Sequence, residues 1–159
     1  MGLIQKIISG GQTGADRAGL DVAIEFNIPH GGWVPKGRKT EIGRLPDKYQ
    51  LREMDTASYP KRTEQNVLDS EGTLIISHGK LNGGSALTRN LAKKHGRPWI
   101  HIDMDALSVP DAKKITYAWI HRNNISVLNV AGPRGSKNPK IYDTVTKVLE
   151  SLLRIDTVS

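Results

Sequence analysis

The chain has no cysteine, one phenylalanine, and aromatic residues make up only 5% of it. Without cysteine there can be no disulfide, thiolate nucleophile or cysteine-based metal site, and a cytoplasmic setting is the expectation. With so few aromatics there are few platforms for stacking bases, which argues against a single-stranded nucleic-acid binder. No apolar run is long enough to span a bilayer. The first residues, MGLIQKIISGG, are too short and too polar a stretch for a signal peptide. HExxH, EF-hand and P-loop patterns are missing, so no protein-bound metal is expected. No serine stands at a recognisable spacing from a His–acid pair, which leaves catalytic residues unassigned. What remains is a basic chain of 159 residues with a formal charge of +7. That length suits one domain covering 1–159, and that charge suits a small anionic partner.

Apolar runs and helical periodicities alternate along the chain. LIQKIIS (residues 3–9), TLIIS (73–77), WIHI (99–102) and ISVLNV (125–130) read as buried strands. Ala15, Ala18, Gly19, Val22, Ala23 and Phe26 fall three and four apart, which is helical spacing. A second helix is expected near Ser58, with Pro60 in its first turn, and a third runs through Leu87, Leu91 and Ala92 to stop at Gly96. A fourth is expected from Asp111 to Arg122, and a last one carries Val145, Val148, Leu149, Leu152 and Leu153. Strand followed by helix, repeated, predicts an α/β fold: a Rossmann-like, doubly wound, mostly parallel sheet with helices on both faces. Residues 31–60 break this rhythm. Their glycines and prolines predict a long ordered loop with a short strand near Gly32 to Val34 and an edge piece near Gln50 to Glu53.

Three strands run into glycine-rich turns. The first is GGQTG, where Gly10, Gly11 and Gly14 surround Gln12 and Thr13. Thr13 with Asp16 three residues on has the form of a capping box. The second is LNGGSALT, with Gly83, Gly84 and Ser85, where Ser85 reads as a helix cap. The third is AGPRGSKNP, with Gly132 and Arg134, where Asn138 reads as a cap and Pro139 as a first helical residue. In a parallel sheet all three turns lie on one edge, where helix N-termini offer free N–H groups and partial positive charge to an anion. Arg134 is suited to bidentate phosphate or carboxylate recognition. Lys36, in the long loop, could join it if that loop folds over as a lid. Asp16 would repel an anion, so a cap or a hydroxyl contact is its expected role. Glu41 could pair with an arginine or accept from a heterocycle's N–H groups. His78 reads as a hydrogen-bonded structural histidine, and His101, inside a strand, as buried.

SGGQTGADRAGLD, GGWVPKGRKTEIG, RTEQNVLDSEGTLIIS and LNGGSALT together resemble the molybdenum carrier family. That family sits in a wider Rossmann-like group with the DNA-processing protein A fold, the lysine-decarboxylase-like phosphoribohydrolases and the algal molybdenum cofactor carrier. The likeness covers residues 7–103 and, more loosely, AGPRGSKNPKIYD. It implies a site at the glycine turns, with Gly10, Gly11, Gln12, Thr13 and Gly14 from the first. It adds Arg62, Thr63 and Asn66 from an RTxxN helix, and Gly83, Gly84 and Ser85 from the second turn. It also implies as cargo the molybdenum cofactor, a pterin carrying a phosphate, or a related anion. One departure matters. The phosphoribohydrolases carry PGGxGTxxE, and here Asn82 replaces the proline, Ala86 the third glycine and Asn90 the glutamate. The glycine pair that holds phosphate is retained and that catalytic glutamate is not.

Two readings follow. One is a binding or carrier protein for a phosphorylated heterocycle, the molybdenum cofactor among them, with a homodimer as the default assembly. The other is a hydrolase of a nucleotide-like substrate using Asp16 or Glu41 as base.

Overall fold

The computed structural model of the chain describes residues 4–158. In order the elements are β1 (Lys6–Ile8), α1 (Ala15–Glu25), β2 (His30–Gly31), β3 (Trp33–Val34), β4 (Lys39–Thr40), β5 (Gly43–Arg44), β6 (Arg52–Glu53), α2 (Tyr59–Asp69), β7 (Gly72–Ser77), α3 (Gly83–Lys94), β8 (Trp99–Asp103), α4 (Val109–Arg122), β9 (Val127–Ala131) and α5 (Ile141–Val158). The central sheet has the order β2-β1-β9-β7-β8, and all its pairings are parallel. Helices α1, α4 and α5 pack together on one face, and α2 and α3 together on the other. The fold is the Rossmann-like doubly wound α/β architecture expected. Among the described residues no helix is long and apolar enough to cross a membrane.

The strands are short and apolar because helices cover both faces of the sheet. All six residues of β7 are buried. Of its two polar side chains, Thr73 accepts a hydrogen bond from Asn129 Nδ2 of β9 (3.2 Å) and Ser77 Oγ donates to the Gly79 carbonyl (2.7 Å), so neither is left unpaired. Small residues set the spacing of α1. A side chain on Gly19 would meet Val130 of β9 at 3.0 Å, so glycine lets the helix lie close against the strand.

The sheet order also places a crevice. If the chain is counted from β9, then β1, β2, β7 and β8, the order becomes 3-2-1-4-5, that of a doubly wound nucleotide-binding sheet. The strand order reverses between β9 and β7, and ligands of such sheets bind outside the strand ends at that point.

Residues 31–60 hold more structure than one short strand. β3 pairs with β6, and β4 with β5 as an antiparallel hairpin. Beneath them Val34, Leu45, Tyr49 and Leu51 form a small apolar cluster with Leu20 of α1. Arg38 ties the segment together by donating to the carbonyls of Leu45 (3.1 Å), Leu51 (3.3 Å), Pro46 (2.9 Å) and Tyr49 (2.7 Å).

Several local expectations are corrected. The first strand is shorter than LIQKIIS, and Leu3 lies outside the described residues. α1 is preceded by Gly14 with no side-chain cap, because the Thr13 hydroxyl is engaged across the turns instead. Asn82, not Ser85, stands at the head of α3. α5 starts at Ile141, and Asn138 Oδ1 accepts from Lys140 N (3.1 Å) within the turn before it, which leaves Pro139 outside the helix. α4 starts at Val109, since Ser108 caps it by accepting from Asp111 N (3.2 Å). His101 is half-buried, with Nε2 2.7 Å from Ser77 Oγ. The α2 start is as read, with Ser58 capping and Pro60 in the first turn.

Candidate functional site

A cavity of about 320 Å³ opens at the reversal point of the sheet. Its walls come from four places. The β1 turn and the start of α1 give Gly10, Gln12 and Asp16, and α2 gives Tyr59, Arg62, Thr63 and Asn66. The head of α3 gives Asn82, Gly83, Gly84, Ser85, Leu87 and Thr88. β9 and its turn give Asn129 to Arg134, together with Lys137.

Arg62 is the buried cation of this cavity. Its Nη1 donates to the Gly10 carbonyl and lies 3.9 Å from Asp16 Oδ2. Gly10 must be glycine for this to happen, since a Cβ there would stand 2.2 Å from Nη1. Arg62 Nε is buried with no hydrogen-bond partner. Burial weakens the hold of the guanidinium on its proton, and Asp16 opposes that shift. Asp16 is pushed the other way. Burial raises its carboxyl to about 6, although Arg62, the Gln12 N–H (3.2 Å) and Arg17 all favour the charged form.

The second cationic zone is at the mouth. Gly83 has φ +49°, and Lys137 Nζ is 3.1 Å from where its Cβ would stand. The N–H groups of Gly83 and Gly84 find no acceptor among the described residues. They head a helix of 12 residues, so they carry its positive dipole end. Arg134 also borders the cavity, with Nε 3.4 Å from Glu41 Oε2 in ion-pair but not hydrogen-bond geometry.

Of the residues singled out in the sequence, Gly10, Gln12, Asp16, Arg62, Thr63, Asn66, Gly83, Gly84, Ser85, Gly132 and Arg134 line the one cavity. Gly11, Thr13, Gly14, Lys36 and Glu41 do not. Gly11 turns away at φ +74°, against Leu45 and Leu51. Gly14, at φ +81°, packs on the β9 turn, where a Cβ would stand 2.5 Å from the Pro133 carbonyl oxygen. Lys36 is exposed and its N–H donates to Thr56 O (2.8 Å). Glu41 does pair with an arginine, as one of its expected roles had it, and it also accepts from the Thr13 hydroxyl and from Ser136 N (3.1 Å) and Oγ. Burial alone would raise the Glu41 carboxyl, but the Ser136 and Thr13 hydrogen bonds outweigh it and hold the group below its usual range. Asn66 borders the cavity while its amide clamps the Trp33 backbone, accepting from N (2.8 Å) and donating to O (3.1 Å).

His78 is hydrogen-bonded at both ring nitrogens, as read. Nδ1 is 3.2 Å from Asp105 Oδ1 and Nε2 is 2.9 Å from Thr144 Oγ1, which ties the β7 turn to α5. This resembles a nucleophile–base–acid series, but none of the three borders the cavity.

Sequence reasoning missed Tyr59, Asn82, Leu87, Thr88, Asn129 and Lys137 as cavity walls. Two carried a signal. Asn129 is an amide inside an otherwise apolar strand, and Lys137 lies in the same turn as Arg134.

A crystal structure described as "Putative molybdenum carrier protein" from Syntrophus aciditrophicus SB, at 1.45 Å resolution, superposes with a TM-score of 0.95. The two sequences are 58% identical over 96% of each chain. None of the curated proteins matches the chain. A sequence model described as the circularly permutated YpsA SLOG family matches residues 7–153. The strand order agrees with that description, because a Rossmann order appears only when counting starts at β9. By this match, which spans most of its length, and by that structural likeness, the chain belongs to the circularly permutated YpsA SLOG family.

Proposed function

We propose that the chain binds a small phosphorylated heterocycle in the cavity at the β9–β7 reversal and acts as its carrier. The observation that carries this reading is the cationic side chain of Arg62 in the wall of a cavity that also holds the N–H groups of Gly83 and Gly84, which no described residue accepts. Such donors favour an anion between them. An anionic group of the ligand would engage Arg62, with Gly83, Gly84, Lys137 and Arg134 supplying further donors and the ring toward Tyr59, Thr63 and Leu87. The name of the Syntrophus relative favours the molybdenum cofactor, a phosphate-bearing pterin, as the cargo. Native mass spectrometry of the purified protein, with fluorescence for a co-purified pterin, tests this. A bound mass matching a phosphorylated heterocycle is expected. A cavity that takes up neither co-purified ligand nor any added phosphate ester overturns it.

One observation favours a second reading, a hydrolase of a nucleotide-like substrate. Asp16 borders the cavity with its carboxyl near 6, a range that suits a general base. Glu41 is a poorer base, since it is held low by its donors and lies off the cavity wall. Release of free base during incubation with nucleoside monophosphates would establish this reading. A bound but unchanged nucleotide would leave the carrier reading.

A further inference from the structure

The cavity holds a contradiction for an anion site. Among the titratable side chains on its walls, Arg62, Arg134 and Lys137 attract an anion, and Asp16 repels one. Asp16 is not at the rim. Its side chain is 13% exposed, and Oδ2 already stands 3.9 Å from Arg62 Nη1. An anion that engages Arg62 must therefore share the guanidinium with a carboxyl group. An ionised carboxylate can only accept hydrogen bonds. Set against a ligand oxygen that also only accepts, it leaves two lone pairs and two negative charges facing each other. Set against a ligand O–H or N–H, it becomes a partner.

Resting on the carrier reading, we propose that Asp16 is the specificity-determining residue of this cavity, selecting anions that carry a hydrogen-bond donor beside the anionic group. Hydrogen phosphate keeps a proton through the neutral range and is accepted. A phosphorylated heterocycle with a ring N–H is accepted in the same way. Sulfate and molybdate, dianions with no proton to donate, are turned away near neutral pH. They are admitted only with Asp16 protonated, so their binding takes up a proton. The free metal oxyanion is then a poor cargo, and a metal would have to arrive on an organic, donor-bearing carrier.

The groups that face Asp16 support this. Arg62 of α2 and Arg17 of α1 favour the carboxylate, as do the N–H groups of Gln12 and Gly10 in the β1 turn. Burial outweighs them all and leaves the carboxyl near 6. A further negative charge in the cavity pushes it higher still. Among the described residues no other carboxylate borders the cavity. Glu41, the other carboxylate near Arg134, is saturated by Thr13 and Ser136 and lies off the cavity wall.

The test is calorimetric titration of the full chain with inorganic phosphate, sulfate and molybdate. Near pH 8, phosphate is expected to bind at least about tenfold more tightly than sulfate or molybdate. Sulfate affinity should rise by up to about tenfold per pH unit on acidification toward 6 and then level off, since one proton is coupled to binding. Its binding heat should vary with the buffer's ionisation enthalpy to the extent of one proton taken up. Asp16→Asn keeps an acceptor for Gln12 N–H, and it should bring phosphate and sulfate to within about threefold with a flat pH profile. Should that variant not fold, the pH series on the wild-type chain decides alone. Sulfate bound as tightly as phosphate near pH 8, with no pH dependence and no proton uptake, overturns the selectivity and leaves the anion cavity standing. Discrimination that survives Asp16→Asn also overturns it. If no anion binds at any pH, the cavity is not an anion site, and the carrier reading falls with the selectivity.

Discussion

Two arginine–carboxylate pairs stand side by side in this molecule and do opposite things. The inner pair, Arg62–Asp16, has side-chain exposures of 8% and 13%. The outer pair, Arg134–Glu41, has 41% and 16%. Glu41 collects donors from two turns, so its charge is satisfied and its proton is held off. Asp16 has burial without enough donors, so its proton is held on. The outer pair fastens the β4–β5 hairpin to the β1 and β9 turns. The inner pair is under-satisfied, and on the proposal above that is what opens it to a guest. Like chemistry yields a clamp where the protein completes the hydrogen bonds, and the proposed site lies where it does not.

The sharpest way to break the comparison is Arg62→Met. Removing one member of a buried pair strands the other, and a loss of about 3–5 kcal/mol is expected from denaturant unfolding near pH 8. The loss should shrink near pH 5, where Asp16 takes a proton and no longer needs a counter-charge. Next is pH itself. Asp16 has a folded pKa raised from 3.8 to about 6. Its contribution is fully present below pH 4 and is lost as pH rises through 6, on the order of 2–3 kcal/mol. Glu41 has the opposite sign. Its folded pKa is lowered, so its contribution is present above the ordinary value of 4.5 and lost as pH falls through the folded value. Unfolding curves for the wild type, Asp16→Asn and Glu41→Gln across that range would separate the two slopes. A third change, Gly10→Ala, places a methyl group on the Arg62 guanidinium and should cost about 1–3 kcal/mol by overpacking. The smallest effect is expected from Glu41→Gln, about 1 kcal/mol or less in global stability near pH 7, because the pair is partly exposed. Hydrogen exchange should show it locally, with faster exchange at Ser136 N–H. A global loss as large as that of Arg62→Met would erase the distinction between clamp and site.

Much of the fold was legible because it rests on patterns that short windows of sequence carry. The buried strand GTLIIS, the cap and proline at Ser58 and Pro60, and the stop at Gly96 each follow from a few neighbouring residues. The α1 cap failed because its side chain had a better partner far away in sequence. Thr13 reads as a cap until Gly135 N, 122 residues on, is placed 3.0 Å from its hydroxyl. The three glycine turns were visible as turns, but the residues of the first divide between cavity wall and packing. Gly10 and Gln12 border the cavity, while Gly11 turns toward Leu45 and Gly14 toward Pro133. Nothing in GGQTG separates them, since the difference lies in which distant segment each one touches.

By itself, then, the sequence determined the alternation of strands and helices, the basic charge and the clustering of bare backbone at strand ends. These depend on residue type and spacing along the chain. Tertiary structure alone decided that β9 sits between β1 and β7, that Arg62 lies on Gly10, and that one acid is sated while the other waits. Those outcomes depend on burial and on donors brought from far along the chain, and neither can be computed from neighbours in sequence.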